Sequence, residues 1–296
     1  MADALTILEA IRLPPDDAQR AFRAREDLRP SVSWRDFEPE EHARAWTAAK
    51  IARLEILETM KTSLDRALAE GKSFEQWKAE VEPELRRAGW WGVVQDRSLT
   101  GTDDPVFVGE RRLRTIFATN MRVSRAAGQW QRIQARKDSA PYLRYSAILD
   151  RRTRPAHGAW HGVVLPVDHA AWEQIFPPNG WNCRCQVQQL SQRDLERRGL
   201  GVTPDDQLPA RDTIGREWFG RPRRVRGVTR GIDAGWNYNP GAASLDGLVD
   251  RAVDVLARAE KVGLAKPAQL TVGELLELLV PVLGRALAIA MLGRVA

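Results

Sequence analysis

The sequence has few cysteines and no long hydrophobic run, and each shortage excludes a class of protein. Two cysteines in 296 residues cannot build the disulfide framework of a small secreted protein. The apolar stretches near the C-terminus are interrupted by Glu277 and Arg285, so they are shorter than the roughly 20 residues that cross a bilayer. We therefore expect a protein that works in the cytosol or is assembled there.

Lysine is also scarce, although the chain is basic. Lysine and arginine number 45 against 39 acidic residues, which gives a formal net charge of +6, and only seven of the 45 are lysines. Permanent guanidinium charges favour phosphate-rich or acidic partners. One extended stretch concentrates this charge without any acidic residue, at Arg221, Arg223, Arg224, Arg226 and Arg230. We predict that it either follows a DNA backbone without reading sequence or pairs with an acidic protein surface.

The hydrophobic periodicity predicts an α+β chain that is predominantly α-helical. Its predicted parts are a helical N-terminal region (1–140), a small β-containing module (141–198), an irregular basic stretch (199–242) and a helical apolar tail (243–296). In the first part we expect a long helix over 42–70, a helix capped by Ser73, a loop over 99–108 and a helix over 110–137. In the module, alternating residues predict strands at 143–149, 163–167 and 183–187.

The predicted tail is apolar on nearly all sides between Leu270 and Val295. A helix of this kind must be buried in its own core, in an oligomer or against a partner. We predict a protein interface, with insertion into a membrane surface as the alternative.

The scarcest side chains gather in the module. Three of the four histidines and both cysteines lie between positions 157 and 185. His157, His161, Cys183 and Cys185 would suit a closed tetrahedral zinc site of the structural type. Two alternatives stay open, since buried cysteines are also common core residues. The histidines could be hydrogen-bonded without metal, with Asp150 as the partner of His157.

Motifs of common enzymes are missing. The sequence lacks a His-x-Glu with Pro-Cys-x-x-Cys, a phosphate-binding Walker loop, a Gly-x-Ser-x-Gly elbow and a His-Glu-x-x-His helix. Asp168 and His169, followed by asparagines and the paired cysteines, give a faint pattern of a metal-dependent nuclease. We therefore predict that the protein is not an enzyme, with a nuclease acting on DNA as the alternative.

A longer pattern across residues 142–191 resembles the signature of the phage Mu F-like head morphogenesis family. It includes Leu-Asp at 149–150, Thr-Arg-Pro at 153–155, Trp-His-Gly at 160–162, Pro-Pro-Asn-Gly-Trp at 177–181 and Cys-Arg-Cys at 183–185. Weaker similarity extends the resemblance to roughly 15–242, ending on the Gly-Trp-Asn-Tyr-Asn-Pro-Gly run at 235–241.

The resemblance implies a minor structural component of a tailed phage or prophage head. It implies association with the portal protein and other head proteins, a role in head morphogenesis and in packaging or delivery of DNA, and a place in the virion after assembly in the host cytoplasm. The family often carries Cys-x-x-Cys where Arg154 and His157 stand here, and some members have histidine in place of Gly180. This departure leaves the fourth metal ligand undecided between His161 and a group outside the cluster.

Overall fold

The structure is a computed structural model that describes residues 16–33, 36–37, 41–42, 45–209, 232–233 and 235–244. Helices dominate these residues and the strands are short, which confirms the predicted predominantly helical α+β class. The helices are α1 (Asp16–Arg23), α2 (Leu54–Ala69), α3 (Phe74–Arg87), α4 (Arg97–Thr100), α5 (Glu110–Ala135), α6 (Pro155–Gly158), α7 (Trp172–Ile175) and α8 (Gln192–Arg198). The strands are β1 (Asp27–Leu28), β2 (Ala45–Trp46), β3 (Gly92–Val94), β4 (Val106–Val108), β5 (Tyr142–Ser146), β6 (Val164–Pro166) and β7 (Gln186–Leu190).

The described residues divide into two compact units after Gln131. We call 16–131 with 243–244 the first unit and 132–242 the second unit. The predicted boundaries at 140, 198 and 242 remain predictions. The predicted basic residues 221–230 and nearly all of the predicted tail lie outside the described residues. None of the described helices is long and apolar enough to cross a membrane.

The first unit is built on helices whose apolar faces form one continuous cluster. Leu57, Met60 and Leu64 of α2 are fully buried there, as is Trp77 of α3. The predicted cap of α3 is confirmed: the backbone N–H of Gln76 donates to Ser73 Oγ at 3.3 Å, and Ser73 N–H donates back to Gln76 Oε1 at 2.8 Å. This reciprocal pair satisfies two backbone donors that a helix otherwise leaves open.

The predicted helix over 42–70 is wrong in its first half. Helix α2 begins at Leu54, while Ala45 and Trp46 form β2, which pairs in parallel with β1. The alanines before Leu54 have the spacing of a helix, but burial decides the conformation here. Trp46 is 1% exposed, and its indole donates to Asn120 Oδ1 on α5 at 3.0 Å. Tertiary contacts of this kind override a weak helical preference.

The predicted loop over 99–108 is also wrong, because it contains regular structure. Residues up to Thr100 belong to α4, and β4 pairs antiparallel with β3 so that Val93 faces Phe107 in the register. Asp96 caps α4 by accepting from Ser98 N–H at 2.8 Å, and Gly101 ends it in the left-handed region. Three-residue strands are too short to show a clear alternation in the sequence.

The second unit contains an antiparallel sheet in the order β6-β5-β7. Leu143 and Tyr145 of the central strand are fully buried, and Tyr145 pairs with Val187 of β7. The predicted strands are thus confirmed in kind, but β7 begins at Gln186, three residues later than expected. Cys183 and Cys185 therefore lie in the loop that leads into the sheet and not on a strand.

Candidate metal centre

A tight turn after β5 places the first candidate ligand. Pro155 occupies the first turn of α6, where its fixed φ and missing N–H are tolerated. The turn before it is held by Asp150, whose carboxylate accepts from the guanidinium of Arg184 at 2.5 and 2.8 Å. His157 follows on α6 and is 4% exposed.

The loop between α7 and β7 supplies the two thiols. Asn182 adopts a φ of 59°, a left-handed conformation that asparagine tolerates better than most residues. This turn lets the N–H of Cys183 donate to the carbonyl of Gly180 at 3.1 Å. Cys183 is buried and Cys185 is half-buried, so one thiol faces the interior and the other lies closer to solvent.

The three side chains converge with a spacing that suits a metal ion. Nδ1 of His157 lies 3.7 Å from Sγ of Cys183 and 3.7 Å from Sγ of Cys185. The three ligand atoms lie within 4.8 Å of one another. Zinc bonds of about 2.0 Å to nitrogen and 2.3 Å to sulfur place tetrahedral N and S ligands roughly 3.6 Å apart. Both nitrogen–sulfur distances in the cluster therefore match the spacing of zinc ligands.

The electrostatics of the thiols favour one thiolate before any metal binds. A hydrogen bond from the Cys185 thiol lowers the pKa of Cys183, and the hydrogen bond with His157 acts in the same direction. Cys185 keeps the proton that it donates to Cys183, and this hydrogen bond raises the pKa of Cys185. Metal ions bind the thiolate form, so the lowered pKa favours the form of Cys183 that binds a metal.

Two buried polar side chains lie behind the thiols. Tyr145 on β5 accepts a hydrogen bond from Asn179 Nδ2 at 3.0 Å, and burial raises the pKa of its phenol. Asn179 also donates to the carbonyl of Ile175 at 3.0 Å. These contacts fix the loop that carries the cysteines to the central strand of the sheet.

The other predicted site residues lie elsewhere. His161 does not join the cluster: its Nδ1 lies 3.2 Å from the backbone nitrogen and 3.1 Å from the oxygen of Ala147. The predicted pairing of Asp150 with His157 is replaced by the Asp150–Arg184 ion pair, because the guanidinium binds both carboxylate oxygens. Arg221, Arg223, Arg224, Arg226 and Arg230 lie outside the described residues.

Sequence reasoning missed a group of contacts that anchors the cysteine loop, by which we mean residues 176–185 between α7 and β7. The guanidinium of Arg154 donates to the carbonyl of Trp181 and to Asp233 Oδ2, both at 3.0 Å. Asp233 Oδ2 also accepts from Trp181 N–H at 3.1 Å, and the rings of Trp181 and Trp236 meet edge to face at 5.2 Å. Gly180 is needed here because a Cβ at that position would lie 2.3 Å from Asp233 Oδ2.

Some of this anchor had a signal in the sequence. The Gly-Trp pair at 235–236 belongs to the pattern that carries the family resemblance, although spacing alone does not say what it contacts. Arg154 and Gly180 are two of the three positions where the chain departs from that pattern, and the structure shows that both adjoin Asp233.

These features define a class, a mostly helical α+β protein whose small antiparallel sheet carries one imidazole and two thiols on its loops. Residues 58–188 match the family described as "Phage Mu protein F like protein", so this stretch of the chain belongs to that family. The resemblance predicted from the sequence is thereby confirmed.

Two relatives extend the similarity beyond that stretch. The chain is 34% identical over 262 residues to protein F of Escherichia phage Mu, whose name describes it as a capsid assembly protein; the match covers 83% of this chain and 59% of the relative. It is 33% identical over 228 residues to the Mu-like prophage FluMu F protein of Haemophilus influenzae, covering 72% of this chain and 54% of that protein. The chain thus spans less than two thirds of the length of these relatives. No solved structure matches it.

Proposed function

We propose that this chain acts in phage head assembly as a minor structural component of the head. The observation that carries the proposal is the 34% identity to a protein named for capsid assembly, which covers 83% of the chain. Within the head we place the protein at the portal, where it assists packaging or delivery of DNA. It would assemble in the host cytoplasm and remain in the virion.

This role requires binding and not chemistry, so we propose that the protein is not an enzyme. Its partners would be the portal protein and other head proteins. The arginines at 221–230 would contact packaged DNA or an acidic protein surface. The predicted apolar tail would bind a protein partner, with a membrane as the alternative that flotation with liposomes tests.

The portal assignment is tested with the full chain and the portal protein of the same phage. We expect the two to co-migrate in size-exclusion chromatography, while the major capsid protein, as the matched control, migrates separately. Phage that lack the gene should form fewer DNA-filled heads. Separate migration together with normal heads would contradict the proposal.

The same preparation tests DNA contact and the nuclease alternative. Binding of the full chain to duplex DNA of arbitrary sequence should weaken steeply with added salt. A variant in which Arg223 and Arg224 are both changed to glutamine should have a smaller salt slope. Divalent-dependent cleavage of the DNA would favour the nuclease.

We further propose that His157, Cys183 and Cys185 hold a zinc ion that stabilises the fold of the second unit. The support is the 3.7 Å spacing of Nδ1 from both sulfurs, together with the lowered pKa of Cys183. Bound zinc would link α6 to the cysteine loop. These two segments lie more than 20 residues apart in the sequence.

Metal analysis of the purified full chain checks this assignment. We expect close to one equivalent of zinc in the wild type and loss of zinc in Cys183→Ser. His169→Gln is the matched control, because His169 bonds with Asp205 and Ala171 and does not contact the thiols. Zinc-free protein whose unfolding does not respond to added zinc would exclude the site.

A further inference from the structure

The fourth ligand of the candidate zinc site cannot come from an undescribed histidine or cysteine. The chain contains four histidines and two cysteines, and all six lie within the described residues. Three of them form the cluster. The other three are His42, which lies in the first unit, and His161 and His169, which lie in the second.

Both remaining histidines of the second unit are used in other contacts. His169 has both ring nitrogens engaged, Nε2 at 2.9 Å from Asp205 Oδ1 and Nδ1 accepting from Ala171 N–H at 3.2 Å. His161 directs Nδ1 to the backbone of Ala147. Neither contributes an atom to the group of ligand atoms around His157.

Among the described residues, two acidic side chains near the cluster are paired with arginines. Asp150 is bound by Arg184 and Asp233 by Arg154. No carboxylate among the described residues belongs to the group of three ligands. Tyr145 also lies near the thiols, but its hydroxyl oxygen accepts a hydrogen bond from Asn179 Nδ2 at 3.0 Å.

We propose that the fourth coordination position of a zinc ion bound by His157, Cys183 and Cys185 is filled by an exchangeable ligand from outside the chain, water or a small anion. This rests on the zinc site proposed above. Three protein ligands with an exchangeable fourth are the arrangement of open zinc sites, whereas four protein ligands define closed ones. The sequence prediction of His161 as the fourth ligand is the competing arrangement.

Exposure and charge balance both allow a small anion at this position. Cys185 is half-buried, so its side of the cluster is the one nearer to solvent. One Zn²⁺ with two thiolates and a neutral imidazole carries no net charge, so the centre itself does not repel an incoming anion. Arg154 is paired with Asp233 beside the loop that carries the cysteines, so removal of its guanidinium would leave the negative charge of Asp233 uncompensated there.

Cobalt(II) substitution with thiocyanate as the probe tests the proposal on the full chain. The visible absorption of thiolate-bound cobalt reports its ligands. We expect a saturable change of this spectrum when thiocyanate is added to the wild type. His161→Gln, which can still hydrogen-bond to Ala147, should give the same initial spectrum and the same response. Arg154→Gln should keep the initial spectrum but need several-fold more thiocyanate for half-saturation.

The outcomes separate this inference from the zinc proposal. A wild-type spectrum that ignores thiocyanate and changes in His161→Gln would overturn the open position in favour of a closed site with His161. A cobalt-bound protein that ignores thiocyanate and does not change in His161→Gln would also overturn it, with a carboxylate as the fourth ligand. Absence of thiolate–cobalt absorption would overturn both proposals. Circular dichroism of each variant confirms that it is folded.

Discussion

The first unit buries a continuous apolar cluster whose members run from Phe22 to Met121. The second unit also buries apolar side chains, but its distant segments are joined in addition by polar side chains. In the second unit, 34 residues separate Asp150 from Arg184, and 79 separate Arg154 from Asp233. Hydrophobic contacts are tolerant of direction, while ion pairs and metal ligands require specific atoms. We therefore expect single substitutions to destabilise the two units for different physical reasons.

The largest expected effect is in the core of the first unit. Trp77 is fully buried and its indole donates to Ser63 Oγ at 2.9 Å. Trp77→Ala removes a large apolar side chain and leaves a cavity, which costs about 3–5 kcal/mol. Chemical denaturation followed by circular dichroism measures the loss.

Trp91→Ala is the matched control for this change, because Trp91 is only partly buried against the same cluster. Its effect should be clearly smaller. The zinc content of Trp77→Ala should equal that of the wild type wherever the protein is still folded. Equal losses for the two tryptophans would contradict the importance we assign to the buried cluster.

If His157, Cys183 and Cys185 hold zinc as proposed, removal of the metal should destabilise the second unit selectively. With free zinc at a hundredfold excess over its dissociation constant, binding stabilises the folded state by about 2.7 kcal/mol. Chelation should therefore lower the unfolding temperature of the transition that includes the second unit. Hydrogen exchange monitored by mass spectrometry assigns the change, with faster exchange near α6 and the cysteine loop.

The comparison of the units predicts that the buried peptides of α2 and α3 keep their exchange rates after chelation. Cys183→Ser should behave in zinc as the wild type behaves in chelator. If chelator accelerates exchange equally in both units, then the metal does not act through the second unit alone.

The anchor around Asp233 should respond to one added methyl group. Gly180→Ala places a Cβ 2.3 Å from Asp233 Oδ2 and 3.0 Å from the guanidinium of Arg154. Crowding of this kind costs about 1–3 kcal/mol. Denaturation monitors the loss, and the fluorescence of Trp181 and Trp236 should change as the two rings separate.

Gly158→Ala provides the control for this substitution. A Cβ at Gly158 meets no atom within 4 Å, and alanine is favoured over glycine in a helix. We expect stability equal to or slightly above that of the wild type. A similar loss in both variants would mean that the contact with Asp233 does not determine the effect.

The sequence was sufficient for features that depend on local periodicity or on a complete motif. The cap at Ser73, the long helix α5 and the strands of the second unit were predicted because each signal lies within a few residues. The convergence of His157 with both cysteines was also predicted, from the rarity of these residue types in the chain.

The rest depends on contacts that a single sequence does not specify. Ala45 and Trp46 form a strand because Trp46 bonds with Asn120, 74 residues away. His161 has the spacing of a ligand, but the backbone of Ala147 binds its Nδ1. The partnership of Arg154 with Asp233 bridges 79 residues, and neither residue type indicates which opposite charge it will meet.

The smallest expected effect concerns the Asp150–Arg184 pair and depends on pH. The hydrogen bonds from Arg184 hold the pKa of Asp150 well below its usual value, which is about 3.9 in an unfolded chain. A carboxyl group whose pKa falls on folding stabilises the protein above its unfolded pKa, and this contribution is lost as the pH drops through the folded pKa. The pair is partly exposed, with 37% of the Asp150 side chain accessible, so the contribution is small. We expect Asp150→Asn to be slightly less stable than the wild type at pH 7, by an amount that stays constant down to about pH 4 and shrinks below it. Urea midpoints of both proteins across this range measure the difference, and a difference that grows on acidification would contradict the assignment.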